Sequence, residues 1–308
     1  MTQSFIALLP VFIVILVGYG LRRSGLIAED HWAAVDHVCY YVLFPAIIFK
    51  EIAAADFSNV PVWSMALAMI LAISTMFALL LALRRRLIAA MDLSGPQYSS
   101  LFQGATRWHT FIALAIIPIY FGQPALALGG LSAAAMTPLL NIVNVGVISV
   151  HGSSAKMDGR AMVLSILKNP FVLSSLGGVA WQLLHLPMPA MGVQVLDMIG
   201  KGALGLALLA VGAGLRIDEA LSTKGPVVLA TFLKLLVMPV FMAAWLWLLS
   251  VSGEAAAVAI LCGAVPTGSG AYVLAKQMGG DAAMIASILT LQVICAAVTI
   301  PLVLSLLS

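Results

Sequence analysis

Ten apolar stretches, each at or near the length of a membrane crossing, follow one another with little polar chain between them. A spanning helix needs about 20 mostly apolar residues, and that requirement met ten times over leaves few folds open. Read from polar cluster to polar cluster, the segments cover residues 5–21, 32–52, 62–83, 97–121 and 124–150 in the first half. In the second half they cover 170–184, 191–215, 226–251, 254–277 and 282–307. Only 9% of the residues are charged and the mean hydropathy is +1.10, whereas a soluble domain carries about 25% charged residues. Transmembrane barrels alternate apolar and polar positions in segments of about ten residues, a pattern missing here. The chain is expected to be an all-α polytopic membrane protein with ten transmembrane helices.

Positive charge orders these segments. Arg22, Arg23, Arg84, Arg85, Arg86, Lys156, Arg160, Lys168, Arg216, Lys224 and Lys276 fall in the odd-to-even connections, and Lys50 alone falls in the others. Loops rich in Lys and Arg stay in the cytoplasm, so both termini are expected outside it, with the chain in a cytoplasmic membrane. No basic leader and no A-x-A site mark a cleaved signal, so the first helix is expected to remain. The longest polar connection, residues 151–160, is too small for a domain, and no phosphate-binding Gly-x-x-x-x-Gly-Lys-[Ser/Thr] loop occurs. The formal charge of +3 forms no basic stripe, which argues against a nucleic-acid partner. Cys39, Cys262 and Cys295 sit singly in apolar runs, with neither metal-ligand spacing nor a disulfide framework. No metal or cofactor is expected.

Ten segments divide into five and five, and an odd-numbered unit repeated in tandem must be inverted in the membrane. The second segment, "VDHVCYYVLFPAIIF", and the seventh, "LDMIGKGALGLALLA", each place an acid before a helix weakener: Asp36 with Pro45, Asp197 with Gly205. The fourth opens "GATRWHTF" and the ninth "GAVPTGSGAY". Residues 1–151 and 152–308 are therefore expected to be two inverted five-helix repeats. Interrupted helices at matching positions of such repeats supply backbone dipoles to an ion or substrate. Pro266, Thr267, Gly268 and Ser269 mark the strongest interruption, since Pro removes a donor and Gly loosens the next turn. Small residues also let helices pack closely, which is the other reading of this run.

Arg107 stands about ten residues into its segment, where a charge costs roughly 2.5–3.5 kcal/mol on insertion scales. Its planar fork suits a carboxylate; the alternative is a structural pair or a snorkel to the interface. His109 and Thr110 come next, His109 either to hydrogen-bond a ligand or to rest as a satisfied buried group. Thr137, Asn141 and Asn144 are spaced i, i+4 and i+7 on one helical face, lining a cavity or bonding to another helix. Asp197 and Lys201, at i and i+4 with the acid first, suit an intrahelical pair or an ion-coupling site. Lys234 has no partner on its own segment; Asp36 either pairs with it or sits near the interface.

The segments "YYVLFPAIIF", "GATRWHTFIALA", "KNPFVL", "KLLVMP" and "AVPTGSGAYVLAKQMGGD", spread over the whole chain, resemble the auxin efflux carrier family of membrane transporters, most closely its bacterial malonate-transporter members. The resemblance implies a scaffold domain and a core domain, broken helices 4 and 9 that cross, and elevator-like movement of a small organic anion. This chain departs from the family at His109, where Asn is usual, and near Gly205, where Pro is usual. The expected function is thus secondary transport of a malonate-like carboxylate, with Arg107, His109, Thr110, Asn141, Asn144 and residues 266–269 as the substrate site. Asp197, Lys201 and Thr137 are the ion-coupling candidates; coupling to protons or sodium, and a homodimer, stay open. The other classes are an intramembrane enzyme and an anion channel. Protease signatures fail, since "TGSG" has Thr267 and "MGGD" has Met278 where glycine is needed, so no enzyme activity is expected. A channel would normally be a ring of one helix from several subunits.

Overall fold

Helix is the form every apolar segment takes, because a backbone in hydrocarbon must satisfy its own amides and carbonyls. The computed structural model describes residues 2–57, 60–153, 168–217 and 225–307. Lys156, Arg160, Lys224 and Ser308, used above to place loops and the C-terminus, lie outside the described residues. The first half begins with α1 (Thr2–Arg23) and α2 (Glu29–Val38), which runs through a π turn (Cys39–Leu43) into α3 (Phe44–Ala54). It continues with α4 (Val62–Met91), α5 (Gly95–Thr106), α6 (Thr110–Phe121) and α7 (Leu126–His151). The second half has α8 (Pro170–Leu183), α9 (Ala190–Gly200) and α10 (Ala203–Ala213). Then α11 (Gly225–Phe232) runs through a π turn (Leu233–Val237) into α12 (Met238–Leu248), with α13 (Gly253–Ala264), α14 (Gly270–Met278) and α15 (Ala282–Leu307) after it. Among the described residues every regular element is helical.

Each π turn ends two residues before a proline, Pro45 and Pro239. Proline has no amide to donate and crowds the carbonyl four residues back, and one widened turn takes up the mismatch.

Seven helices among the described residues are long and apolar enough to cross a membrane by length and composition. The other three expected segments are α8, with 14 residues, and two segments that are each divided. The fourth is interrupted between Thr106 and Thr110, and the ninth between Ala264 and Gly270. Each half is too short to count as a crossing by itself.

The helices sort into two packed groups. In one, α1 and α2 lie on α10, and α3 lies on α8 and α9. At Gly212 a β-carbon would overlap the Ile15 carbonyl, so α10 touches α1 backbone to backbone, as small residues permit. The other group holds α4 to α7 and α11 to α15, where α5 and α13 each pack on both α7 and α15.

Candidate functional site

The two breaks meet. Val265 ends α13 in extended conformation (φ −69°, ψ 153°), as the residue before a proline is biased to be. In a continuing helix the Thr267 amide would donate to the Gly263 carbonyl, and both groups have found other partners. The Thr267 amide donates to Gln292 Oε1 on α15 at 2.7 Å, and the Gly263 carbonyl accepts from the Lys234 ammonium. Lys234, 1% exposed, is carried there on the π turn between α11 and α12.

The fourth segment repeats this logic without a proline. Arg107 is extended (φ −71°, ψ 161°), and nothing local in "GATRWH" requires that. Its cause is distant: the Gly104 carbonyl, which would accept from the Trp108 amide in a continuing helix, accepts instead from Thr267 Oγ1 (2.7 Å) and Gln292 Nε2 (2.8 Å). One fully buried glutamine thus holds both interruptions together. At Gly268 a β-carbon would stand 2.7 Å from the Trp108 carbonyl oxygen, so only glycine allows this approach.

A cavity of about 350 Å³ opens beside the crossing. Arg107, His109 and Thr110 line it from the first break, Gly268, Ser269 and Gly270 from the second, and Thr137 and Asn141 from α7. The opposite wall comes from the other helix group: Asp36, His37 and Tyr40 with Asn169 and Phe171. Asn169 is set by its cap, its Oδ1 accepting from the Phe171 and Val172 amides while Nδ2 donates to the Tyr40 hydroxyl at 3.0 Å. On the Arg107 side, the first turns of α6 and α14 begin at the two breaks, and a helix N-terminus carries about half a positive charge. Arg107 Nη2 donates to Asn141 Oδ1 at 3.0 Å, while Nη1 has no hydrogen-bond partner among the described residues. A smaller cavity of about 60 Å³ is lined by Asp36, His109, Thr267, Ser269 and the end of α10.

The expected site residues therefore separate. Arg107, His109, Thr110, Thr137, Asn141, Gly268 and Ser269 share the large cavity, and Thr267 faces the small one. Pro266 and Asn144 line neither; Asn144 is buried, with Oδ1 3.1 Å from Thr106 Oγ1, which is the helix-bonding reading of its stripe. Asp197 and Lys201 also lie off the cavity, and the intrahelical pair does not form. The Asp197 carboxylate accepts from Lys50 of α3 at 2.6 Å, and Lys50 also pairs with Glu51 at 2.8 Å. Sequence reasoning passed over Gln292, Tyr40 and Asn169. The signal for Gln292 was present: one amide side chain in the apolar run 282–307.

Residues 3–95 and 151–304 match the family model described as "Membrane transport protein". The stretch between them carries Arg107, His109, Thr110, Thr137, Asn141 and Asn144. An uncharacterized transporter of Methanothermobacter thermautotrophicus is 25% identical over 297 residues, covering 96% of this chain and 95% of its own. Auxin efflux carrier component 3a of Oryza sativa subsp. japonica is 29% identical over 118 residues, which is 36% of this chain and 19% of that protein. A helical chain with a polar cavity beside two interrupted apolar helices, matched over most of its length by that model, belongs to the membrane transport protein family and is a multi-pass membrane transporter, not an enzyme.

Proposed function

We propose that the protein is a secondary transporter of a small organic anion, a malonate-like carboxylate, working by alternating access. The observation that carries the reading is Arg107: a guanidinium in a cavity wall, held by one neutral amide and joined to no carboxylate among the described residues. An uncompensated charge there is costly, and a carboxylate would relieve it through a charge-assisted, two-point contact. The starts of α6 and α14 add favourable dipoles on the same side. The cavity volume falls within the range of small-molecule sites.

The ten segments are read as ten crossings in two inverted five-helix repeats, residues 1–151 and 152–308, with both termini outside the cytoplasm. What supports the repeat is the like placement of the two interrupted segments, each with a first half of 12 residues. Support for elevator-like motion comes from the cavity lying between two helix groups, one bearing Arg107 and the other Asp36, Tyr40 and Asn169. Displacement of one group along the other would turn the cavity from one face of the membrane to the other.

The test is calorimetric binding of malonate to purified protein. Arg107→Lys keeps the charge but loses the fork, so affinity should fall about tenfold or more, and Arg107→Ala should not bind measurably. Wild-type affinity in a monodisperse Arg107→Ala preparation would make Arg107 a structural residue and refute the reading. Counterflow of labelled malonate in proteoliposomes separates a transporter from an anion channel.

A further inference from the structure

Three residues line both cavities: His109 and Ser269 from the crossing, and Asp36 from α2 on the facing helix group. Asp36 is the carboxylate among them, and no ion pair or hydrogen bond engages its side chain among the described residues. The titratable or charged groups around it are few. His37, Cys39 and Tyr40 belong to its own helix, and Arg107 and His109 face it from the first break. The parts of α10, α14 and α15 that complete the walls are Ala210, Val211, Ser269, Leu289 and their neighbours, none of which titrates.

Formal charge then constrains what the site can hold. Without an anion, Arg107 and an ionised Asp36 leave the cavity neutral. A carboxylate arriving on Arg107 puts a second negative charge into the same small, partly apolar space, where charges interact far more strongly than in water. A proton on Asp36 removes one negative charge, which restores neutrality for a singly charged carboxylate and halves the excess for a dianion such as malonate. Its position at the divide lets Asp36 exchange that proton with either cavity, and only an O–H bond to water-borne hydrogen is made and broken.

We propose that Asp36 couples transport to protons: it is protonated while the anion is bound and ionised when the site is empty, so that each anion moves with one proton. This rests on the anion reading above. Asp197, paired with Lys50 away from the cavity, then has no part in coupling.

The experiment uses full-length protein in proteoliposomes at zero membrane potential with labelled malonate. The parent should show counterflow, and an inward acid gradient of one pH unit should drive accumulation towards the limit of about tenfold for one proton per anion. A protonophore should abolish that accumulation. Asp36→Asn mimics the protonated state, so it should keep counterflow and lose gradient-driven accumulation, while Asp36→Glu should regain it. Counterflow in the parent without any response to the gradient would overturn the proposal. So would an Asp36→Asn variant that accumulates like the parent, or a monodisperse one that has lost counterflow. Absence of counterflow in the parent would instead overturn the anion reading. Should Asp36→Asn not fold, proton uptake by the parent on malonate addition in weakly buffered detergent solution decides: no uptake refutes the coupling.

Discussion

Gln292 is the residue whose loss tests the crossing most directly. It accepts from the Thr267 amide and donates to the Gly104 carbonyl, while Thr267 Oγ1 donates to that same carbonyl. Thr267→Val removes the hydroxyl that donates to the Gly104 carbonyl at 2.7 Å and, at 3.4 Å, to the Arg107 carbonyl; Gln292 still serves Gly104 and the Arg107 contact is long, so the cost should be about 1 kcal/mol. Gln292→Leu removes its bond to Gly104 and also leaves the buried Thr267 amide unpaired, which alone costs about 1–3 kcal/mol. Its total should be about 2–4 kcal/mol. In the double variant Gly104 loses both donors, so the two changes should exceed their sum by about 1 kcal/mol. At roughly 2 °C per kcal/mol for a chain of this size, thermal midpoints of detergent-purified protein should fall by about 2 °C for Thr267→Val and 4–8 °C for Gln292→Leu. The double variant should fall further than both together. A Gln292→Leu midpoint no lower than that of Thr267→Val, or a simply additive double variant, would refute the account of one glutamine serving both breaks.

Gly268→Ala should destabilise the protein by about 1–3 kcal/mol, the usual cost of overpacking, because its methyl would press on the Trp108 carbonyl. Gly146→Ala, where a β-carbon meets nothing within 4 Å, is the control and should not lower the melting midpoint, since Ala is favoured over Gly inside a helix by about 0.5–1 kcal/mol. A reporter active only outside the cytoplasm, fused after Ser308, should be active; activity of a cytoplasm-only reporter there would reverse the orientation read from Lys and Arg.

The crossing segments were legible because length and hydropathy are local quantities, and the second break was legible because Pro266 acts on its neighbour Val265. The break at Arg107 was readable only as an oddity of composition. Its cause lies 163 and 188 residues from Gly104, in Thr267 and Gln292, and no pattern confined to "GATRWHTF" carries that. Asp197 shows the same limit from the other side. The spacing rule offered Lys201 four residues on, but helices α3 and α9 pack together and bring Lys50, 147 residues away, to 2.6 Å. The stripe on α7, read from its spacing as one face, serves two purposes. Asn141 meets Arg107 at the cavity, and Asn144, one turn along, is turned to Thr106.

Lys234 has a bearing on how the protein is made. A lysine at the centre of a crossing costs roughly 2.5–3.5 kcal/mol on insertion, against about −0.3 to −0.6 for each Leu, Phe or Val. The run from α11 to α12 (Gly225–Leu248) has a mean hydropathy of 2.3, enough to enter the bilayer with its ammonium aboard. The carbonyl that finally receives that ammonium, Gly263, lies 29 residues further along and emerges from the ribosome later. In the interval the lysine must reach back to water or lipid head groups along its flexible stem. The next segment to arrive, the short helix α13, is too brief to be a secure crossing on its own but brings the waiting charge its acceptor. Biogenesis therefore has a built-in order here: a committed lysine-bearing helix first, then the half-helix that it captures.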